Sequence, residues 1–173
     1  MTGHAYRSWA EDHPKGYVQR DEGLKESNPR LAQWRAKHAR HEPVRFEPQV
    51  QKIIAQVVVE IAEERCVRLH AVSVTRTHVH VLLSFRSPAC TCGALAHCRK
   101  NCAARKVAES VFIRMKRKIG QAAAKVKSTV GRRWLSRGRD LTPVRNRAHF
   151  DYLIRTYLPK HATVEGGIVR VYQ

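Results

Sequence analysis

Two runs rich in β-branched residues, Val67 to Thr75 and Thr77 to Phe85, are separated by the single residue Arg76. A gap this short leaves no room for the crossover that parallel strands need, so the two runs are predicted to pair as a tight antiparallel hairpin. Side chains alternate along a strand. In the second run Val79, Val81 and Leu83 therefore face one way, and His78, His80 and Leu82 the other.

The segment before the hairpin has a different period. After Glu47-Pro48, with proline suited to a helical first turn, come Val50, Ile53, Ile54, Val57, Val58 and Ile61. The spacing i, i+3, i+4, i+7, i+8, i+11 makes one apolar stripe, which predicts an amphipathic helix. Residues 103–127 predict a long helix with Val107, Val111, Met115 and Ile119 on its buried line. A short strand is expected around Trp134. Another helix is expected from Ala148 to Leu158, ended or kinked by Pro159, and a last strand from Ile168 to Tyr172. Residues 1–46 are polar and loop-like, with a short helix near Leu31 to Ala39 and at most a degenerate first strand. The chain is thus read as an N-terminal segment, 1–46, and a domain, 47–173, carrying a cysteine-rich insertion at 86–102. The element order predicts an α+β fold, an antiparallel sheet with helices packed on one face and the other face free to carry a site.

Charge narrows the partners. Lys and Arg total 33 against 14 Asp and Glu, a formal charge of +19. The basic residues are spread over the chain rather than gathered in one tail, which suits phosphate tracking by a folded domain. No apolar run reaches the roughly 18 residues of a membrane span, and residues 1–15 do not resemble a signal peptide. The expected setting is the cytoplasm, where thiols stay reduced. Cys90, Cys92, Cys98 and Cys102 then become candidate ligands of a structural Zn²⁺, although a C-x-C start is tighter than usual zinc spacing. Cys66, at the end of the first long helix, is expected to be buried.

His78 and His80 stand at i and i+2 on a strand, so their imidazoles project from one face and can share a divalent ion. The same spacing also fits ordinary polar surface. The run Arg-Thr-His-Val-His-Val-Leu-Leu-Ser (76–84) resembles the His-hydrophobic-His strand of the HUH single-strand DNA transposases, and is most similar to their REP-associated tyrosine transposase branch. The resemblance extends over roughly 47–161. It takes in the amphipathic helix, the basic helix with Met115-Lys116-Arg117-Lys118, Arg133-Trp134, and the late Tyr-Leu-Pro-Lys-His. It departs from the family in two places. Thr77 stands where an asparagine is usual, and 1–46 shows no clear counterpart of the strand that forms the middle of the family's sheet.

The resemblance implies a ferredoxin-like or RRM-like HUH fold. It also implies Mg²⁺- or Mn²⁺-dependent cleavage and rejoining of single-stranded or hairpin DNA through a 5′-phosphotyrosine, a homodimer, and residence at the nucleoid. The nucleophile is expected on the late helix. Tyr157 is favoured over the alternative Tyr152 because His161, four residues on, can join His78 and His80 as a third ligand. Five helical positions would set the two tyrosines about 140° apart. Expected DNA contacts are Arg105, Lys106, Arg114, Lys116, Arg117 and Lys118 on the basic helix, with Arg133, Trp134 and Arg137 clamping a displaced base; Trp134 reads equally well as a core residue. Two competing readings are a catalytically inactive, repurposed DNA- or RNA-binding protein and a zinc-loop module that binds a protein partner.

Overall fold

The computed structural model describes residues 1–8, 10–19, 22–86, 102–127, 133–136 and 140–172. Its centre is a four-stranded antiparallel sheet in the order β1-β5-β4-β6, formed by β1 (Thr2–His4), β4 (Arg68–Val74), β5 (His78–Ser84) and β6 (Ile168–Val171). A separate two-stranded hairpin, β2 (Tyr17–Gln19) and β3 (Gly23–Lys25), precedes helix α1 (Pro29–Lys37). The fold is α+β, as the alternation of periods predicts.

The predicted hairpin is β4–β5. Its turn is built on Thr75, whose buried hydroxyl accepts hydrogen bonds from the backbone N–H of Thr77 and of His78. That side-chain cap fixes where β5 begins and so which face its histidines take. Val72, Val74, Val79 and Val81 lie on the first face, under α2 (Pro48–Glu64) and α3 (Ala103–Lys127). The stripe read in the sequence fills this layer: Val50, Ile54, Val57, Val58 and Ile61 are buried, and α3 adds Val111, Phe112, Met115 and Ile119. A register shift between Leu69 and Ala71 leaves His70 unpaired with β5. This bulge turns Leu69 toward the same core as Val72 and Val74, three and five positions on.

The N-terminal segment departs from expectation. Residues 1–46 are not a polar appendage: β1 is a strand of the main sheet, and Ala5, Val44 and Phe46 belong to the core. β1 is also bonded on its far side. Thr2 and Asp140 exchange backbone hydrogen bonds, Tyr6 N–H donates to the Trp134 carbonyl, and Ser136 N–H donates to that of His4. β1 therefore sits between β5 and the segment around 134–140, inside the sheet. What was expected as a strand around Trp134 is two isolated bridges, Thr2 with Asp140 and Ala5 with Leu135.

The second face of the sheet is covered at one end by the C-terminal helical run. This comprises α4 (Arg147–Tyr152), a π-helical turn (Leu153–Tyr157) and α5 (Leu158–Val164). Leu158 seals it against Ala71 and Leu82, with Phe150, Leu153 and Ile154 packed around them. Pro159 does not end the helix. It has no N–H to give to Arg155 and its ring would crowd that carbonyl. The turn before it widens instead, and Leu158 N–H donates to the carbonyl of Leu153, five residues back. The run then reverses through Gly166-Gly167 into β6. A Cβ on Gly167 would lie 2.3 Å from the Val74 carbonyl oxygen, so only glycine allows β6 this approach to β4. Gln51, buried within α2, donates from Nε2 to the carbonyls of Phe46 (3.0 Å) and Gly166 (3.1 Å), tying both chain reversals to the first helix layer.

Among the described residues, no helix is long and apolar enough to cross a membrane. Cys66 is exposed rather than buried. It follows the C-cap of α2 with φ +50°, a left-handed position that turns its side chain away from the core.

Candidate active site on the second face of the sheet

Strand alternation sends His78 and His80 to the second face, and the register of β1 brings two more polar side chains beside them. His4 pairs with His78, and Thr2 with His80. The His4 and His78 rings are 4.7 Å apart at their centres, and His78 and His80 are 5.8 Å apart and nearly parallel. From above, α5 delivers His161, 4.7 Å from His80 and 5.5 Å from His78, both edge-on. Tyr157 lies 5.7 Å from His80 and 5.7 Å from His161. The i, i+4 relation of Tyr157 and His161 survives Pro159 because the widened turn ends at Tyr157 and ordinary α geometry resumes there. The four residues placed together by the sequence reading, His78, His80, Tyr157 and His161, are thus neighbours, and Tyr152 is near as well, its ring 6.4 Å from that of Tyr157. Tyr152 is 54% exposed on the outer side of the helix, and Tyr157 is half-buried beside the histidines.

Both strand histidines are oriented by threonine hydroxyls. Thr77 Oγ1 is hydrogen-bonded to His78 Nδ1 (2.7 Å), and Thr2 Oγ1 to His80 Nδ1 (3.1 Å). Thr77, the residue immediately before the histidine pair, therefore holds His78 in place. With Nδ1 engaged, each ring keeps Nε2 for another partner, the usual device for aiming a histidine at a ligand. His80 is only 8% exposed, and its Nε2 has no hydrogen-bond partner; the same is true of Nδ1 in His161 and His4. Three buried ring nitrogens without partners in one cluster are costly unless something fills them.

The electrostatics follow from the crowding. Burial, and then the neighbouring rings of His4 and His161, hold His78 down to about 4. Burial, and then His161 and His78, hold His80 down to about 3. Both are neutral imidazoles near pH 7, the form that binds metal. Burial chiefly, with Tyr152 and Asp140 adding to it, raises the Tyr157 phenol above its ordinary value. Asp140 lines a cleft of about 210 Å³ together with Thr2, His80, His149 and Tyr157.

Two imidazoles bound to one ion at about 2.1 Å have ring centres roughly 4.5–5.3 Å apart, depending on coordination angle. Two of the four contacts, His4–His78 and His80–His161, fall in that range; His78–His161, at 5.5 Å, lies just beyond it and His78–His80, at 5.8 Å, about half an ångström beyond it. As the side chains stand, no three His, Cys, Asp or Glu among the described residues already close on a common point. Side-chain rotation would have to complete a ligand set. The donor set nevertheless fits a divalent cation: His78 and His80 are neutral imidazoles with Nδ1 anchored, and His4, His80 and His161 each hold a buried ring nitrogen without a partner.

The remaining expected contacts are dispersed. α3 lies on the opposite face of the sheet from the histidines. On it Arg105 pairs with Glu109 (3.2 Å) and Arg114 with Glu64 (2.9 Å), and Lys116 donates to the Ser136 carbonyl and lies over the Phe112 ring. Lys106 and Arg117 are exposed and Lys118 is half-buried. Arg133 is exposed and lies over the Tyr6 ring. Trp134 is 3% exposed and packed in the core, so it cannot stack on a base; its neighbours on β1 hold it inside the sheet layer. Arg137, Cys90, Cys92 and Cys98 lie outside the described residues. Cys102 is half-buried before α3, where its carbonyl accepts from Lys106 N–H.

His4, Thr2 and Asp140 escaped the sequence reading. The available signal was a short Thr-Gly-His-Ala stretch in which residues of one parity are polar and the other small. Comparison with family models, with curated proteins and with solved structures finds no match to this chain.

Proposed function

We propose that the chain is a metal-dependent transposase-type enzyme that cleaves and rejoins single-stranded DNA, with Tyr157 as nucleophile. The observation that carries this reading is the approach of Tyr157, the last residue of the π-turn, and His161, on the α5 turn that follows it, to His78 and His80 on β5. A phenol beside the neutral, anchored imidazoles of His78 and His80, with His161 over them and a cleft adjoining, is an arrangement for nucleophilic attack at a phosphate held by a cation.

His78, His80 and His161 would hold the divalent ion, Mg²⁺ or Mn²⁺ in the family this sequence resembles, whose chemistry is to polarise and orient the scissile phosphate. The Tyr157 oxygen attacks phosphorus in line. A phenolic P–O bond forms, the bond to the 3′ oxygen breaks, and the phenol proton is balanced by the proton taken up as the 3′-OH leaves. The product is a 5′-phosphotyrosine that keeps the energy of the phosphodiester, so another 3′-OH can reverse the step and join strands without ATP. Because the phenol is held above its ordinary range, its proton leaves as the new bond forms rather than before. Thr2 and Thr77 orient the strand histidines, and β1, a strand of the main sheet, sets Thr2 and His4 beside them.

The reading places the protein in the cytoplasm, at the nucleoid, with single-stranded or hairpin DNA as partner and a homodimer as the expected assembly. A cation-free binder of DNA or RNA is the second reading, favoured by the exposure of Lys106 and Arg117 on the face away from the tyrosine. The two separate on a denaturing gel. The chain is incubated with a library of single-stranded hairpin DNAs and Mn²⁺ or Mg²⁺. A covalent protein–DNA adduct that disappears in His80→Ala and Tyr157→Phe supports the enzyme. Retarded DNA on a native gel without an adduct under either ion replaces it with the binder. A Zn²⁺ held by the cysteines of 86–102 is a separate proposal; unchanged metal content after Cys90→Ser and Cys98→Ser would remove it.

A further inference from the structure

We infer that His4 is a fourth imidazole ligand of the site, and that the completed cluster selects a borderline transition-metal ion of the Zn²⁺ or Co²⁺ kind over Mg²⁺. The inference rests on the metal reading above and narrows it.

The geometry gives His4 the same standing as the three expected ligands. The antiparallel register sets it directly across from His78, at a ring separation of 4.7 Å, equal to that of His80 and His161. Cross-strand partners share a face, so His4 looks toward the helix that carries His161. Its Nδ1 is buried without a hydrogen-bond partner, like Nε2 of His80 and Nδ1 of His161. Its backbone is fixed from both sides, through β5 and through Ser136, whose N–H donates to the His4 carbonyl. A residue held this firmly, with one ring nitrogen unpartnered beside two others, is placed as a ligand rather than as polar surface.

Ligand chemistry then decides the ion. Mg²⁺ demands hard oxygen donors and sheds water reluctantly, and it is seldom held by nitrogen. Imidazole suits Zn²⁺, Co²⁺, Ni²⁺ and Cu²⁺. Here the donors gathered in the cluster are imidazole nitrogens, three of them buried without a hydrogen-bond partner, and among the described residues Asp140 is the one carboxylate lining the adjoining cleft. Four imidazoles would close a tetrahedron round Zn²⁺. His4, whose ring meets that of His78 at one side of the cluster, is the ligand that a substrate oxygen could replace while the other three stay bound.

The test is a calorimetric titration of the metal-free chain with Zn²⁺, Co²⁺ and Mg²⁺, together with the visible spectrum of the Co²⁺ form, for wild type, His4→Gln and His80→Ala. All three proteins carry the same cysteines, so any thiolate site contributes equally to each. The expected result is Co²⁺ affinity at least about a hundredfold above that for Mg²⁺. His4→Gln should weaken Co²⁺ by about 10- to 100-fold and shift its spectrum, and His80→Ala should remove that binding. Unchanged affinity and spectrum in His4→Gln would overturn the fourth ligand and leave the three-histidine reading standing. Comparable affinity for Mg²⁺ would overturn the selectivity. No binding of any of the ions by the wild type would overturn both. Should His4→Gln unfold, acylation of histidines in the wild type with and without Zn²⁺ decides the matter: protection of His4 along with His78, His80 and His161 supports the assignment, and a His4 that stays reactive refutes it.

Discussion

The rings of Tyr152 and Tyr157 lie 6.4 Å apart, close neighbours on a helix that would have separated them in its regular form. Five α-helical steps carry a side chain about 140° round the axis. The π-turn over Leu153–Tyr157 takes up part of that rotation, because an i→i+5 hydrogen bond puts more residues into each turn and so lowers the rotation per residue. The widening brings the two rings closer than the 140° separation of a regular helix would. Their roles are separated by depth instead, Tyr157 lying against His80 and Tyr152 exposed.

The first prediction follows. Tyr157→Phe should lower adduct formation by at least about a thousandfold, as loss of a nucleophile does. Tyr152→Phe should cost less than about tenfold, through the loss of a neighbour to the attacking ring. Single-turnover rates on a cleavable hairpin measure both. Equal losses would mean that the two phenols exchange roles.

Stability should depend on acid through the histidines. His78 and His80 titrate at about 4 and about 3 in the folded chain, against about 6.5 when unfolded. Between those values the unfolded chain binds more protons, so lowering the pH through that window favours unfolding, and the stabilisation is fully present only above about 6.5. Urea midpoints should therefore fall steadily from pH 7 to pH 4, and His80→Asn should flatten the slope. A pH-independent midpoint in the wild type would contradict the burial of neutral imidazoles.

Gln51 should matter well beyond α2. Removing its amide in Gln51→Ala leaves the buried carbonyl of Phe46 and the part-buried carbonyl of Gly166 without that donor. The expected loss is about 1–3 kcal/mol, read from chemical denaturation. Because Gly166 begins the return into β6, the same variant should loosen the helix that carries Tyr157 and His161, with faster amide exchange over 158–166 as the signature.

Cys66 gives the opposite sign. Its φ of +50° is one that glycine adopts without strain. Cys66→Gly should stabilise the chain by about 0.5–1 kcal/mol, measured as a higher urea midpoint with an unchanged slope. Destabilisation would show that the thiol makes a contact worth more than the backbone strain.

Long periodic segments were legible in the sequence, and short ones were not. The stripe from Val50 to Ile61 and the alternation through 79–83 each repeat often enough to fix an element and its inward face. β1 has three residues, too few for a pattern, and is a strand because β5 and the 134–140 segment bond it from both sides. His4, Thr2 and Asp140 were lost with it. The pair His78 and His80 could be read because their spacing is local, and His161 because it stands four residues from Tyr157. The π-turn is set by Pro159 acting on the carbonyls before it, and proline in a sequence signals interruption more readily than widening. Trp134 illustrates the converse: Arg-rich flanks suggested a surface role, and pairing with β1 decided for the core.

The placement of β1 between β5 and the 134–140 segment has a temporal consequence. A nascent chain released as far as β3 holds a strand with neither neighbour yet made. The hairpin gives it one partner, and the second arrives only after α3. The imidazole of His161 and the phenol of Tyr157 come later still. A growing polypeptide would thus carry its paired strand histidines for some time before the Tyr157 phenol and the His161 imidazole stand over them, so that the cluster is assembled only after β1, β4 and β5, which support it, have been made.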